Sequence, residues 1–155
     1  MSIRNAKIKD INKILELLIE VCNVHSSLRS DIFIPNQTKY TYQELLKLIT
    51  ETNNPIFVYT NSADEVIGYI FCIINEVHGN NLVPHKTLYI DDICVDKNFR
   101  RNNIASSLIE YVFAFAKTSG CYNVTLNVWA NNEEAIKLYE KYGLETQKTV
   151  LEKIL

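Results

Sequence analysis

The sequence lacks the patterns that mark secreted, membrane-spanning and metal-binding proteins. No apolar run approaches 18 residues, and the first ten residues hold no apolar segment of the kind that directs secretion, so we expect neither export nor a membrane partner. The four cysteines show no Cys-x-x-Cys spacing and the three histidines form no ligand pattern with them, which disfavours disulfides and a metal site. We therefore expect free thiols, a reducing compartment such as the cytoplasm, and no metal.

An excess of either charge is also missing. A formal net charge of -2, from 16 basic and 18 acidic residues, gives no electrostatic case for binding nucleic acid. The chain has no internal repeat, low-complexity tract or linker. Its 155 residues are enough to bury a sizeable core, so we expect a single domain over residues 1–155.

Hydrophobic periodicity predicts alternating strands and helices. Strands are expected over residues 2–6, 56–59, 66–77, 87–95, 123–128 and 146–154. Four helices are expected. The first begins after Asp10, which would cap it, and the second begins at Thr41, with Glu44 completing a capping box, and ends at Asn53-Asn54-Pro55. The third and fourth are expected over residues 104–116 and 132–142. This order predicts one α/β domain in which a right-handed crossover joins parallel strands at 87–95 and 123–128.

Residues 99–105 form a basic and polar turn between a predicted strand and an amphipathic helix. The first turn of a helix leaves backbone N–H groups unpaired and carries the positive end of the helix dipole, so a diphosphate is a natural partner. Arg100 and Arg101 would add charge-assisted contacts to phosphate oxygens. Two arginines before a helix are also typical of a solvated surface pair, and the turn alone does not decide between these interpretations.

The same turn resembles the acetyl-CoA loop of the GNAT acetyltransferases, Arg/Gln-x-x-Gly-x-Gly/Ala. Arg100 and Ala105 stand at matching positions, whereas Asn103 and Arg101 replace glycines. Residues 126–144 resemble the second signature of that family more closely, and the two signatures occur in the right order. The resemblance implies an α/β (α+β) GNAT fold, with a mixed central sheet of six to seven strands flanked by about four helices. It also implies acetyl-CoA as cosubstrate.

The missing glycine bears on cofactor affinity. Asparagine is among the few residues that tolerate positive φ, so the turn can keep its shape. The Asn103 side chain would nevertheless crowd the diphosphate, and we expect acetyl-CoA to bind with weakened affinity. The resemblance implies cofactor contacts from the backbone of a splayed strand, from the turn and from the second helix start. These residues are Ile93, Cys94, Val95, Arg100, Arg101, Asn102, Asn103, Ile104, Ala105, Ser106 and Asn132.

Some of these residues have a simpler interpretation. Asn132 is also a good N-cap, and both roles are compatible. Cys94 has no base beside it in sequence, so we interpret it as a structural thiol rather than a nucleophile.

Two types of residue are candidates for the chemistry. Adjacent strand residues face opposite sides, so only one of Asp91 and Asp92 is expected to face the site. By resemblance we assign Asp91 as the base, the alternative being a carboxylate that caps or forms an ion pair. Tyr139 lies four residues after Ala135 on the same helix face, and the resemblance makes it the general acid for the departing thiolate. An amphipathic tyrosine at the edge of the core is the alternative.

The implied reaction is direct transfer of the acetyl group to a primary amine of a small molecule or peptide. Candidate acceptor-binding residues are His25, Arg29, Asp92 and Trp129. A solvated loop is the favoured alternative for His25 and Arg29, and a place at the core edge explains Trp129 equally well. A catalytically weakened acyl-CoA-binding or sensor domain of the same fold is the main alternative, and a protein-interaction domain without a cofactor is the third. A homodimer is compatible with the family resemblance.

Overall fold

A computed structural model describes residues 1–50 and 54–155 of the chain. The strands are β1 (Ser2–Asn5), β2 (Ile56–Thr60), β3 (Val66–Val77), β4 (His85–Val95) and β5 (Asn123–Leu126). The helices are α1 (Ile11–Leu28), α2 (Tyr42–Thr50), α3 (Ile104–Thr118) and α4 (Glu133–Lys141). None of the helices in these described ranges is long and apolar enough to cross a membrane.

The strands form one mixed sheet in the order β1-β2-β3-β4-β5. β1 to β4 pair antiparallel, and β4 pairs with β5 in parallel. Strands that run parallel need a long crossover, and α3 supplies it. The predicted parallel pairing of these two strands is therefore confirmed.

The sheet is packed between two helical layers. On one face, α1 and α2 cover residues that include Val58, Tyr69 and Phe71. On the other face, α3 covers residues that include Ile70 and Leu88. Alternation of side chains along each strand sends neighbours to opposite layers, which explains the long apolar run of β3.

Local signals position the helix ends. The capping box predicted at α2 is confirmed: the Thr41 N–H donates to Glu44 Oε2 (2.7 Å), and the Glu44 N–H donates to Thr41 Oγ1 (3.2 Å). Asp10 precedes α1 as predicted, but its carboxylate accepts from the Lys7 N–H (2.7 Å) and so caps the preceding 3-10 turn. α2 ends at Thr50, and Asn53, part of its predicted end, lies outside the described residues.

The predicted count of six to seven strands is wrong, because the described chain forms five. Residues 146–154 were expected to be the last strand, but they belong to no strand. A strand needs a neighbouring edge for its backbone groups, and this segment instead extends towards α1, where Glu152 contacts Arg29 (2.6 Å). Its side chains Val150, Leu151 and Ile154 are all largely exposed. The α/β class and the four flanking helices are confirmed.

Candidate active site

β4 is longer than its parallel neighbour, and the excess creates an open edge in the sheet. The pairing of β4 with β5 ends at Ile90 and Leu126, whereas β4 continues to Val95. The N–H of Asp96 donates to Ile67 on the β3 side (3.0 Å). Because backbone groups alternate in direction along an antiparallel strand, those of Ile93 and Val95 point to the open edge.

The turn after β4 holds two residues in the left-handed region. Arg101 has a φ of 65° and Asn103 has a φ of 59°, the two positions at which the family pattern carries glycine. The expectation that Asn103 keeps the turn by adopting positive φ is confirmed. A side chain in this region costs roughly 1–2 kcal/mol, less for asparagine than for arginine. The Asn102 amide bonds the carbonyls of Phe99 (3.0 Å) and Arg100 (3.3 Å), which holds the turn closed.

This turn presents the N-terminus of α3. The Ser107 N–H donates to the Asn103 carbonyl (2.9 Å), so the earlier N–H groups of Ile104, Ala105 and Ser106 have no acceptor within the helix. The Arg100 guanidinium does not point to this helix end. It donates to the Val95 carbonyl (3.2 Å) and lies 3.6 Å from the Glu20 carboxylate on α1. Arg101 is exposed. The turn therefore offers backbone N–H donors. Arg100 is bound to Val95 and Glu20, and Arg101 is exposed to solvent.

Helix α4 positions Tyr139 near the acidic end of β4. The Asn132 side chain accepts from the Ala135 N–H (3.3 Å), which confirms the predicted N-cap. Tyr139 is half-buried, and burial, together with the Asp92 carboxylate, raises its pKa to about 12. The phenol therefore holds its proton at neutral pH.

A β-bulge places both acidic residues of β4 on one face. Phe71 is opposite Asp92 and Cys72 is opposite Ile90, so Asp91 is the extra residue. Both carboxylates consequently lie on the side of α1 and α2. The prediction that the two adjacent aspartates face opposite sides is wrong, because the strict alternation on which it rests fails at a bulge.

The two carboxylates nonetheless have different surroundings. Asp91 accepts a hydrogen bond from Lys39 Nζ (2.6 Å) and another from the Tyr40 hydroxyl (2.9 Å). Burial raises the pKa of Asp92 to about 6, while the Lys39 ammonium and the Ile93 N–H act in the opposite direction. The Asp92 carboxyl group therefore changes protonation near pH 6.

Side chains from distant segments form an aromatic wall. The His25 ring is tilted against Phe33 (ring centroids 5.1 Å apart), Phe33 contacts Trp129 edge-on (5.7 Å), and the Arg29 guanidinium lies 5.3 Å from the Trp129 ring centroid. Burial and the Lys39 charge lower the pKa of His25. The fold therefore brings His25, Arg29 and Trp129 together, although Arg29 is already paired with the carboxylates of Asp31 and Glu152.

Cys94 is held as a structural thiol. Its Sγ donates to the Leu17 carbonyl (3.5 Å), and burial raises its pKa to about 12. A thiol with so high a pKa is a poor nucleophile at neutral pH, which supports the structural interpretation.

Sequence reasoning did not single out Lys39, Tyr40 or Tyr69. Lys39 and Tyr40 come from the loop between α1 and α2, and Tyr69 comes from β3. They belong to no motif, and only the tertiary fold brings them to the two aspartates.

Comparison with known proteins agrees with this geometry. The family model described as "Acetyltransferase (GNAT) family" matches residues 22–144. "GCN5-related N-acetyltransferase 6, chloroplastic" from Arabidopsis thaliana is 28% identical over 123 residues, covering 76% of this chain and 41% of that protein. "N-alpha-acetyltransferase 30" from Dictyostelium discoideum is 32% identical over 124 residues, covering 72% of this chain and 66% of that protein. The chain therefore spans less than two thirds of either relative.

Solved structures share the fold. A mutant form of the BH1408 protein from Bacillus halodurans superposes with a TM-score of 0.95 at 24% identity, covering 100% of this chain and 99% of that one. The aminoglycoside 6'-N-acetyltransferase AAC(6')-Ih from Acinetobacter baumannii gives a TM-score of 0.73 at 17% identity, covering 99% and 97%. At these identities the likeness supports the fold and not the substrate.

Proposed function

The chain belongs to the GNAT acetyltransferase family, and on that premise we propose that it transfers the acetyl group of acetyl-CoA directly to a primary amine of a small molecule or peptide. One observation carries the proposal. The open edge of β4 leads from the amides at the start of α3 to the part of the strand that carries Asp92, and the Asp92 charge adds to burial in raising the pKa of the Tyr139 phenol. A linear cosubstrate with an anionic end and a reactive end matches this arrangement.

The cofactor contacts follow the open edge. The helix start at Ile104, Ala105 and Ser106 offers backbone donors and the dipole to a diphosphate. Exposed Arg101 supplies charge from the turn closed by Asn102, whereas Arg100 would have to leave Glu20 to do so. Along β4, the Ile93 carbonyl and the Val95 N–H are aimed at a pantetheine arm, with Cys94 between them fixing the strand, whereas the Val95 carbonyl is bonded by Arg100. Asn132 orients α4 beside this path.

Titration calorimetry tests the cofactor assignment. We expect saturable heat on adding acetyl-CoA, with an affinity that improves when Asn103 is replaced by glycine and the side chain no longer crowds the diphosphate. The absence of heat at millimolar acetyl-CoA would refute the cofactor assignment.

We assign the general base to Asp92 rather than to Asp91. A base must be ionised at working pH and still accept a proton readily, which favours a pKa close to that pH. Asp92 has this property, it lies in the part of β4 beyond the pairing with β5, and its charge contributes to the raised pKa of Tyr139. Asp91 is held by Lys39 and Tyr40, which suits binding of a cation more than proton transfer.

Asp92 and Tyr139 carry out separate proton transfers in the proposed reaction. Acetyl-CoA supplies the thioester that is attacked. Asp92 accepts one proton from the bound ammonium group, so that a neutral amine forms the new N–C bond as the C–S bond breaks. Tyr139 gives its proton to the departing thiolate and regains one from the amide nitrogen, and the N–H of Val95 stabilises the developing oxyanion. The Asp92 proton leaves to solvent, and the charges balance.

We place the acceptor against the wall formed by His25, Arg29 and Trp129. Two of the proteins named above act, by their names, on an α-nitrogen and on the 6'-nitrogen of aminoglycosides, which supports an amine as the acceptor. The free thiols at the four cysteines fit a reducing compartment such as the cytoplasm.

We also propose a homodimer. The apolar side chains of Val150, Leu151 and Ile154 are exposed on the unpaired segment that follows α4. Light scattering after size exclusion tests this assignment, and a monomer at high micromolar concentration would refute it.

A further inference from the structure

A lysine from the chain itself occupies the acidic side of the site. The Lys39 ammonium, carried by the loop between α1 and α2, lies 2.6 Å from Asp91 Oδ2 and 5.5 Å from the centroid of the Tyr40 ring. The Tyr40 hydroxyl donates to the same carboxylate oxygen (2.9 Å), which fixes the orientation of Asp91. Carboxylate, phenol and aromatic face together are a receptor for an ammonium group.

The Lys39 charge contributes to the electrostatics of neighbouring groups. Burial is the main cause of the pKa shifts of Asp92, Tyr89 and His25, and the Lys39 charge is a smaller contribution that favours a lower pKa in each. The Lys39 side chain is itself 45% exposed, so its ammonium lies at the solvent side of Asp91.

A buried phenol lies next to this cluster. The Tyr69 side chain is fully buried, and burial together with the nearby Asp92 carboxylate raises its pKa, so the phenol is a neutral donor beside Asp92. Tyr69 therefore belongs with Asp92, whereas Asp91 is bonded by Lys39 and Tyr40.

We propose that Asp91 and Tyr40 form the subsite for the ammonium group of the acceptor, and that Lys39 occupies this subsite until an acceptor displaces it. Because a lysine side chain fits there, the acceptor chemistry is a primary amine at the end of an unbranched alkyl chain. The inference deepens the proposed function and rests on it. A small diamine and a peptide lysine side chain share this chemistry, and the test separates them.

An internal occupant weakens the apparent affinity for the acceptor by the fraction of time that it fills the subsite. Replacing Lys39 with methionine keeps the apolar stem and removes the charge. We expect the KM for 1,5-diaminopentane to fall by about fivefold, from the strength of a partly exposed ion pair. Asp91→Asn should raise the same KM by at least about tenfold. Lys137→Met is the matched control, since Lys137 forms an exposed pair with Glu133 on the outer side of α4, and it should leave this KM unchanged.

Binding without the cofactor gives a second readout. Calorimetry with 1,5-diaminopentane alone should show tighter binding to Lys39→Met and weaker binding to Asp91→Asn. The same measurements are made with Nα-acetyl-lysine amide in place of the diamine. A higher kcat/KM for the diamine indicates a small-molecule acceptor, and a higher value for the lysine derivative indicates a peptide lysine side chain. A structural role for Lys39 predicts instead a raised KM and a lowered melting temperature in Lys39→Met.

Two results would overturn the subsite. One is an unchanged or raised diamine KM and Kd in Lys39→Met. The other is a preference for a branched α-amine, such as a peptide N-terminus, that does not respond to Lys39→Met or Asp91→Asn. If the diamine binds as described but neither the native protein nor any variant releases CoA from acetyl-CoA, the proposed function is wrong and the binding subsite is still supported.

Discussion

Replacing Asp92 with asparagine should make the protein more stable while removing most of its activity. Burial raises the pKa of Asp92 from an ordinary 3.8 to about 6. Between these two values the folded state holds the proton more tightly than the unfolded state, so the stability of the native protein falls as pH rises through this window. Since each tenfold change in the protonation equilibrium corresponds to about 1.4 kcal/mol, the ionised carboxylate costs the fold about 3 kcal/mol at neutral pH, as an upper limit.

Asparagine removes this cost because it is uncharged at every pH. Urea unfolding of the native protein and Asp92→Asn should show a gain in unfolding free energy of up to about 3 kcal/mol at pH 7.5 and about 1.5 kcal/mol at pH 5. The same variant should lower turnover by roughly 10²- to 10⁴-fold, the usual contribution of a positioned base. It should also lose the inflection near pH 6 in kcat/KM, while ionisation of the acceptor amine appears in both proteins.

Asp91→Asn provides the matched control. This carboxylate is paired with Lys39 and bonded by Tyr40, so removing its charge breaks favourable contacts. We expect a loss of about 0.5–1.5 kcal/mol, the opposite sign to the effect at Asp92. A destabilised Asp92→Asn at pH 7.5, or a gain that does not change with pH, would refute the link between burial, the raised pKa and catalysis.

Substitutions at three further positions test separate parts of the site. Tyr139→Phe should lower kcat by roughly 10- to 1000-fold with an unchanged acetyl-CoA Kd in calorimetry, and unchanged turnover would remove Tyr139 from the mechanism. Asn103→Ala should destabilise the protein by about 1 kcal/mol in thermal unfolding, because alanine is strained at a φ of 59°. Asn103→Gly should stay within about 0.5 kcal/mol of the native protein, and equal losses in both variants would contradict the conformational explanation. Asn132→Ala removes the cap of α4 and should lower the free energy of unfolding by about 1 kcal/mol in the same assay. An unchanged melting temperature would contradict the capping role.

Local interactions in this protein could be predicted from the sequence. The capping box of Thr41 and Glu44, the N-cap at Asn132 and the positive φ of Asn103 depend on residues within a few positions of one another. The parallel pairing around α3 also follows from chain connectivity, because a crossover helix joins strands that run in the same direction.

Features that depend on pairing register could not be predicted in the same way. The sequence of β4 alone does not predict the bulge at Asp91, because the bulge arises from the pairing register between β3 and β4. Periodicity that assumes a regular strand therefore assigned the two aspartates to opposite faces. The segment 146–154 has strand-like composition but no paired edge among the described strands, and composition does not reveal whether a partner exists.

The contacts of Lys39 and Tyr69 with the two aspartates were the hardest to predict from the sequence. Lys39 reaches Asp91 across 52 positions of sequence, and Tyr69 faces Asp92 from a neighbouring strand. Their roles depend on burial and on the charge of a group brought close by folding, neither of which is a property of a short motif.

Release of CoA from acetyl-CoA, followed against a panel of primary amines, tests the proposed reaction most directly. The protein should release CoA only when an amine is present, with matching formation of the N-acetyl product by mass spectrometry. Tyr139→Phe, run beside it, should be slower by the factor given above. CoA release that is independent of amine, or no release with any amine despite saturable acetyl-CoA binding, would contradict the assignment as an N-acetyltransferase.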